Sequence, residues 1–314
     1  MSFLWRKKSS SATGIDSGHS ALKIVSIEKN YSSLITHKIL VNSGEIPLNQ
    51  RKIKNLLSRD NRKQCMITAL PSSKLDIQYI SLPYMPENDL RKMITFEIEK
   101  KTECSINDVC FDYTHTESHK DSNSNKTNLI VFMCRRSDVT EYLDQLSDIH
   151  KPFKVVDTVS MALMNLYSFT IPDFTQKTLV GLDIGKSGAN IVIAKNGLLF
   201  FTRFIPYYSN DDESNEFIHS SFLDGLSNEV LLTMQHCSIQ YKFDSDQVKQ
   251  VILTGGRSLS PNIVDSLASK LDISCSVLDL SSSNYPGNNG SLILGEDAPR
   301  YAVAAGLALR QINE

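Results

Sequence analysis

The feature that most constrains this chain is a short motif that occurs twice, half the sequence apart. Asp, any residue, Gly, any residue and Ser, followed by a run rich in Ile, Val and Ala, begin at Asp16 and again at Asp183. One offset of 167 residues (183 − 16) relates the Asp, Gly and Ser positions of the two copies. Apolar residues flank both copies, so each predicts two strands joined by a tight glycine turn. The sequence therefore predicts two related halves.

Two such hairpins are suited to binding a phosphate group. Gly18 and Gly185 let the backbone turn tightly and approach a ligand closely. The turn amides form an anion-binding nest, and the carboxylates of Asp16 and Asp183 suit a hydrated Mg²⁺. A single motif of this kind also fits an ordinary hairpin whose Asp caps its own backbone. The pair at one fixed offset favours a shared phosphate site.

A third glycine element follows in the second half. Gly255 and Gly256 end an apolar strand and precede a helix, so bare backbone and a helix N-terminus would face a neighbouring ligand. A Gly-Gly pair alone also fits a plain turn. Together with the two hairpins, it completes a predicted set of two phosphate elements and one nucleoside element.

Composition excludes several classes of protein. The 314 residues are 41% hydrophobic and 22% charged, as in soluble globular proteins, and the net charge of −2 gives no sign of nucleic-acid binding. The six cysteines are scattered without metal-ligand spacing, which favours reduced thiols. No apolar run is long enough to cross a bilayer, so we expect a cytoplasmic protein. Residues 1–12 form a basic tail, either frayed or in short contact with anionic lipid.

The order of strands and helices predicts an α/β protein with two halves, at 13–172 and 173–297. A C-terminal helix at 298–314 is expected to return to the first half. From about residue 73 to 151, a strand, an amphipathic helix, two strands and a helix predict a βαββα subdomain inserted into the first half. The other principal predictions are helices at 47–60, 216–241 and 260–271 and buried strands at 65–70 and 248–256.

The three glycine elements, taken in order, resemble those of the actin, sugar-kinase and heat-shock-chaperone superfamily. The inserted unit is similar to the extra subdomain of the cell-division protein FtsA and of the PilM family of type IV pilus assembly proteins. Three segments resemble PilM in sequence as well: "LPYMPENDLRKMITFEIEKKTECSINDVCFDYT", "VVDTVSMALMNLY" and "APRYAVAAGLALR". The resemblance covers nearly the whole chain from Thr13.

The resemblance implies an actin-like fold in which two ribonuclease-H-like halves surround a cleft for ATP and Mg²⁺. It also implies a cytoplasmic protein at the inner face of the inner membrane, docked on the cytoplasmic N-terminal tail of a PilN-like protein and linking it to other pilus assembly components. The positions that match the nucleotide motifs are Asp16, Gly18, His19, Ser20 and Lys23, then Asp183, Gly185, Lys186 and Ser187, and finally Gly255, Gly256 and Ser258. Asp16 and Asp183 would be the metal ligands.

Several of these roles have an alternative. Lys23 either contacts a phosphate or points to solvent, and Lys186 fits a solvated turn lysine better than a ligand. After Ile205 the chain lacks the Gly-Gly turn and the helical stretch with Glu and Lys that hold the nucleoside in these families. Glu213 and Glu216 are the nearest carboxylates, and an acidic solvated loop explains them more simply.

Binding is therefore a better expectation than hydrolysis. Asp157 is the nearest candidate for a catalytic base, but capping of the following helix is the simpler role. A nucleotide-free scaffold of a related pilus or secretion machine is the main alternative function, and a sugar kinase is the weaker one. A partner tail is expected in the groove beside the inserted subdomain, lined by Pro83–Pro86 and the apolar face of the next helix, unless that face is core.

Overall fold

The structure is a computed structural model of the chain. It describes residues 11–19, 21–29, 34–42, 65–102, 105–117, 125–149, 151–207, 216–280 and 294–313. Residues 1–10 of the predicted tail, the predicted helix at 47–60, Ser20 and Glu213 lie outside these ranges. The predicted tail bound of residue 12 was wrong, because Ser11 and Ala12 are buried and begin the first strand.

The first half is built on a five-stranded sheet with the order β3-β2-β1-β4-β8. Strands β1 to β3 are antiparallel, whereas β4 and β8 add in parallel to β1. The strands are β1 (Ser11–Ser17), β2 (Ala21–Lys29), β3 (Leu34–Asn42), β4 (Cys65–Leu70) and β8 (Val155–Thr158).

The second half repeats this sheet strand for strand, in the order β11-β10-β9-β12-β13. Its pairings have the same directions as those of the first sheet. The strands are β9 (Thr178–Ile184), β10 (Gly188–Lys195), β11 (Leu198–Pro206), β12 (Gln250–Thr254) and β13 (Ser274–Val277). Helices α4 (Glu216–Tyr241) and α5 (Ile263–Leu271) belong to this half. The repeated motif in the sequence is thus a repeat of the whole sheet.

Two helices lie between the sheets and join the halves. These are α3 (Val159–Thr170) and α6 (Ala302–Asn313), which form one buried core with β1 and β4. Gly306 brings the two helices into backbone contact, since a Cβ there would lie 1.9 Å from the Ala162 carbonyl oxygen. Gly14 of β1 does the same for α6, since its Cβ would lie 1.9 Å from the Ala304 carbonyl oxygen.

The segment between β4 and β8 contains a separate three-stranded sheet in the order β5-β7-β6. Its elements are β5 (Asp76–Pro83), α1 (Glu87–Thr102), β6 (Val109–His115), β7 (Lys126–Arg135) and α2 (Arg136–Gln145). The apolar face of α1 covers this sheet, with Leu90, Ile94 and Ile98 at most 2% exposed. Of the two alternatives for this face, the core one is confirmed, because its own sheet buries it.

The inserted segment contacts both halves of the protein. Tyr142 of α2 packs in a core with Ile15 and Leu22 of the first sheet. Tyr79 of β5 stacks on Phe201 of β11, with ring centroids 4.7 Å apart and planes 10° from parallel. The Tyr79 hydroxyl donates to the Thr202 carbonyl oxygen at 2.7 Å and accepts from the Thr202 amide at 2.9 Å. Within the ranges given above, no helix combines the length and apolar content needed to span a membrane.

The glycine contacts give a prediction about stability. Gly306→Ala is expected to lower the free energy of unfolding by about 3 kcal/mol, because the new methyl group overlaps the Ala162 carbonyl and forces the helices apart. Gly225→Ala is the matched control: it lies within α4 with no atom within 4 Å of the added Cβ. It is expected to raise stability by about 0.5–1 kcal/mol through better helix propensity. Urea unfolding curves measure both, and equal effects would contradict the assigned packing.

Candidate functional site

The two glycine hairpins have the same turn geometry. The Gly18 amide donates to the Ala21 carbonyl oxygen at 3.0 Å, and the Gly185 amide donates to the Gly188 carbonyl oxygen at 3.0 Å. The offset of 167 residues relates both donor and acceptor (185 − 18 and 188 − 21). His19 at the first turn, and Lys186 and Ser187 at the second, are exposed.

The structure brings the two motif aspartates into one cluster with a lysine. Lys23 lies directly opposite Asp16 in the β1–β2 pairing, and its Nζ is 2.8 Å from Asp16 Oδ2. Both side chains are mostly buried, at 19% and 17% exposure. Asp183, from the other half, interacts electrostatically with both of them. Three predicted site residues from opposite halves thus share one environment.

The charges of the cluster shift the pKa values of its members. Burial raises the pKa of Asp183 to about 6 and the negative charge of Asp16 adds to the shift, while the positive charge of Lys23 opposes it. Burial acts to lower the pKa of Lys23, but the charge of Asp16 and the hydrogen bond to it outweigh burial, so the pKa of Lys23 is raised. Thr254 Oγ1 donates to Asp183 Oδ1 at 3.2 Å, and Asn190 Nδ2 lies 3.5 Å from Oδ2.

The third predicted element, the Gly255–Gly256 turn, lies against β9, the first strand of the second hairpin. Gly255 has a φ of +88° and its amide donates to the Pro299 carbonyl oxygen at 2.9 Å. A Cβ on Gly255 would lie 2.4 Å from the Ile184 carbonyl oxygen, so only glycine allows this approach to β9. Gly256 is exposed beside Arg300. The Ser258 hydroxyl is buried and donates to the Gly255 carbonyl oxygen at 2.7 Å, so it stabilises the turn itself.

An aromatic and arginine cluster, which was not predicted from the sequence, lies beside the second hairpin. The Tyr207 hydroxyl donates to the Gly185 carbonyl oxygen at 2.6 Å, and the Tyr207 amide donates to the Ser187 carbonyl oxygen at 3.3 Å. The Tyr207 and Phe222 rings meet edge to face with centroids 4.9 Å apart. The Arg257 guanidinium lies 5.6 Å from the Tyr207 centroid and 4.9 Å from that of Phe222. This cluster fixes the second hairpin to the turn after β12.

Three further residues of the cleft were not predicted. Thr254 and Asn190 contact Asp183, and Arg300 interacts electrostatically with Lys23. Asn190 had a signal in the sequence, because it occupies the position of Lys23 in the second copy of the motif (190 − 23 is also 167). Arg300 had none, since the segment that carries it meets the cleft only through the fold.

Comparisons with known proteins agree with this architecture. The profile of the type IV pilus assembly protein PilM matches residues 14–208 and 209–312. The chain belongs to the PilM family. No curated protein sequence matches the chain.

Solved structures show that this PilM-family chain has an actin-like fold. The PilM-PilN type IV pilus biogenesis complex matches with a TM-score of 0.71 at 19% identity, over 98% of this chain and 99% of that chain. The ethanolamine utilization protein EutJ from Carboxydothermus hydrogenoformans gives a TM-score of 0.52 at 10% identity, over 95% and 89%. The diol dehydratase-reactivating factor in nucleotide-free form gives 0.50 at 8% identity, over 98% and 100%.

Asp157 has a structural contact in this PilM-family chain. Its carboxylate forms an ion pair with Arg310 of α6 and accepts from the Thr158 amide at 2.7 Å. The expected capping role was wrong, because Thr158 caps α3 by accepting from the Met161 amide at 3.2 Å. Asp157 instead fastens the C-terminal helix to the first sheet.

The donors around the cleft fit a metal ion that keeps most of its water. The described residues contain no group of three or more His, Cys, Asp or Glu side chains that could hold a metal. Two carboxylates, from Asp16 and Asp183, and the Thr254 hydroxyl supply oxygen, which Mg²⁺ prefers. Mg²⁺ bound by one or two carboxylates commonly completes its shell with water and substrate phosphates. The residues therefore suit Mg²⁺ that arrives with a phosphate ligand.

The raised pKa of Asp183 predicts how stability depends on pH. Since its folded-state pKa of about 6 exceeds the ordinary 3.8, the folded protein binds more protons between these values than the unfolded chain does. The contribution of Asp183 to the free energy of unfolding should therefore become less favourable as the pH rises from about 4 to about 7. Asp183→Asn stays neutral, so it should be more stable than the wild type by about 1–3 kcal/mol at about pH 7.5, with no gain at about pH 4.

The measurement is thermal or urea unfolding across this pH range. Glu99→Gln on the exposed face of α1 is the matched control and should show no pH-dependent difference. A gain for Asp183→Asn that is the same at both pH values would contradict the assigned proton linkage.

Proposed function

We propose that this chain is a nucleotide-binding scaffold of type IV pilus assembly that works on the cytoplasmic side of the inner membrane. The cleft binds ATP with Mg²⁺. A surface of the inserted segment binds the cytoplasmic N-terminal tail of a PilN-like inner-membrane protein and links it to other assembly components, so that association with the membrane is indirect. Membership of the PilM family supports the assembly role.

The observation that carries the nucleotide proposal is the convergence of Asp16 and Lys23 from one half with Asp183 from the other. A phosphate chain between the two hairpins would meet turn amides on both sides. Lys23 and Arg300 would supply positive charge, and the two aspartates would hold the hydrated Mg²⁺. Gly256, which is exposed after β12, would face the nucleoside, and Gly255 would hold that turn against β9.

The structure favours binding over hydrolysis. Hydrolysis of ATP benefits from a residue that orients or deprotonates the attacking water. Asp157, the candidate from the sequence, is only 7% exposed and paired with Arg310. Its carboxylate is therefore committed to holding α6, and a role as general base would require that ion pair to break.

Calorimetry with ATP and Mg²⁺ tests the nucleotide proposal. The wild type should bind Mg·ATP, and Asp183→Asn should weaken that affinity by about tenfold, because a metal-binding charge is lost. The same substitution is expected to stabilise the fold at neutral pH, so weaker binding cannot be assigned to unfolding. Glu99→Gln is the control. An unchanged affinity for Asp183→Asn would remove Asp183 from the site.

The cluster of Tyr207, Phe222 and Arg257 favours a second candidate, a scaffold that binds no nucleotide. These side chains pack against one another beside the second hairpin, so a base that enters there has to displace Arg257 or stack outside the cluster. The same calorimetry distinguishes the two functions. The absence of both binding heat and thermal stabilisation with ATP and Mg²⁺ at about 5 mM would favour the nucleotide-free scaffold.

A groove of about 1130 Å³ beside α2 is the proposed dock for the partner tail. The outer face of α2, the start of β6 and the turn before it line the groove, and three carboxylates face it, from Asp108, Glu141 and Asp144. Arg135 and Arg136 supply the opposing charge. The cytoplasmic flank of a membrane-spanning helix is rich in Lys and Arg, so its tail is suited to an acidic groove.

Reversal of charge in the groove tests this dock. Asp108→Lys with Asp144→Lys should weaken the binding of a PilN-like N-terminal peptide at least about tenfold, with the larger loss at low salt, because attraction becomes repulsion. Glu99→Lys changes the charge at an exposed position of α1 that does not line the groove and should have no effect. Fluorescence anisotropy of a labelled peptide gives the affinities. Hydrogen exchange should show peptide protection at α2 and β6, and protection confined to residues 173–297 would contradict the dock.

A further inference from the structure

Lys23 occupies the place in the cleft where a cation is expected. Its ammonium group lies 2.8 Å from Asp16 Oδ2 and interacts electrostatically with Asp183. It is folded beneath the first hairpin turn, since a Cβ on Gly18 would lie 2.9 Å from Lys23 Nζ. A glycine at the turn thus leaves room for the ammonium group as well as for a ligand.

The second half shows that this charge is not needed to build the hairpin. Asp16 lies opposite Lys23 in the first sheet, and Asp183 lies opposite Asn190 in the second. In both halves the residue across from the aspartate points a nitrogen at its carboxylate. One of these nitrogens carries a positive charge and the other is neutral. The local fold is therefore compatible with either side chain.

The charge of Lys23 decides what the cluster attracts. Two ionised carboxylates alone carry a charge of −2 and attract a divalent cation, whereas with Lys23 the three groups carry −1. A metal ion and the ammonium group would also compete for the same Asp16 oxygen and repel each other. A polyphosphate changes this balance, because its own negative charges attract Lys23 and Arg300 and free Asp16 for the metal.

We infer that Lys23 is an internal counter-ion that keeps free divalent cations out of the cleft. Metal then enters together with a polyphosphate and not before it, and this second part rests on the proposed nucleotide-binding function. Lys23 is in this sense a specificity-determining residue: it makes the site select the metal–polyphosphate complex over the abundant free metal.

Titration with Mn²⁺ in the absence of nucleotide tests the inference, since Mn²⁺ takes the same oxygen ligands as Mg²⁺ and is detected directly by electron paramagnetic resonance. Lys23→Asn, which copies the second half, should bind one Mn²⁺ at least about tenfold more tightly than the wild type. Lys249→Asn removes the same charge at an exposed position before β12 and should bind Mn²⁺ as the wild type does. The double variant Lys23→Asn with Asp183→Asn should lose the increase in Mn²⁺ affinity.

The outcomes separate this inference from the proposed function. A wild type that binds Mn²⁺ alone as tightly as Lys23→Asn does overturns the counter-ion role. The role is also overturned if the higher Mn²⁺ affinity of Lys23→Asn persists when Asp183 is neutralised. If Lys23→Asn fails to fold, Lys23→Gln makes the same comparison with a longer side chain. Titration of the wild type with tripolyphosphate and Mn²⁺ tests the nucleotide cleft separately. If the wild type does not bind tripolyphosphate with Mn²⁺, the polyphosphate site is refuted. A higher affinity of Lys23→Asn for Mn²⁺ alone would still assign the counter-ion role to Lys23.

Discussion

The backbone contact between α3 and α6 is the constraint on which the cleft depends. Gly306 lets the two helices touch at Ala162, and Gly14 lets β1 touch α6 at Ala304. At these points backbone meets backbone with no side chain between, so the packing of α6 on β1 and α3 is set by van der Waals contact and cannot adjust to a larger residue. β1 carries the first hairpin. β9, which carries the second, packs closely on α3, since a Cβ on Gly181 would lie 2.3 Å from the Tyr167 hydroxyl oxygen.

The electrostatics of the cleft follow from this packing. Asp16 and Asp183 are brought near each other in a partly buried place, and their repulsion together with burial raises the pKa of Asp183. Part of the free-energy cost of ionising Asp183 is offset by Lys23, Thr254 and Asn190. A fold that only needed stability would not place two carboxylates here, and groups with strongly shifted pKa values are concentrated at functional sites. This arrangement supports the proposed metal–phosphate ligand, because its metal ion would supply the positive charge that the two carboxylates attract.

The offset of 167 residues made both hairpins and both aspartates predictable, because a repeated motif implies a repeated sheet and a shared register. Lys23 was a candidate only through the family resemblance, since the offset relates it to Asn190. Contacts made by the tertiary fold were not predictable in this way. Asp157 is paired with Arg310, 153 residues away, and no local pattern reveals that ion pair. The apolar face of α1 was assigned to a groove as well as to core, since amphipathicity shows that a face is covered but not by what. Arg300 reaches the cleft only because its segment crosses between the halves.

The inserted segment constrains how far the cleft can open. Tyr79 exchanges two hydrogen bonds with the backbone of Thr202 in the second half, while the Tyr142 hydroxyl lies 2.8 Å from that of Thr68 in the first. Thr68 in turn donates to the carbonyl oxygen of Ile15, next to Asp16. A rotation of the halves about α3 and α6 would therefore have one of two consequences. It would break the Tyr79 contacts, or it would carry the inserted sheet with the second half and slide α2 against the first hairpin.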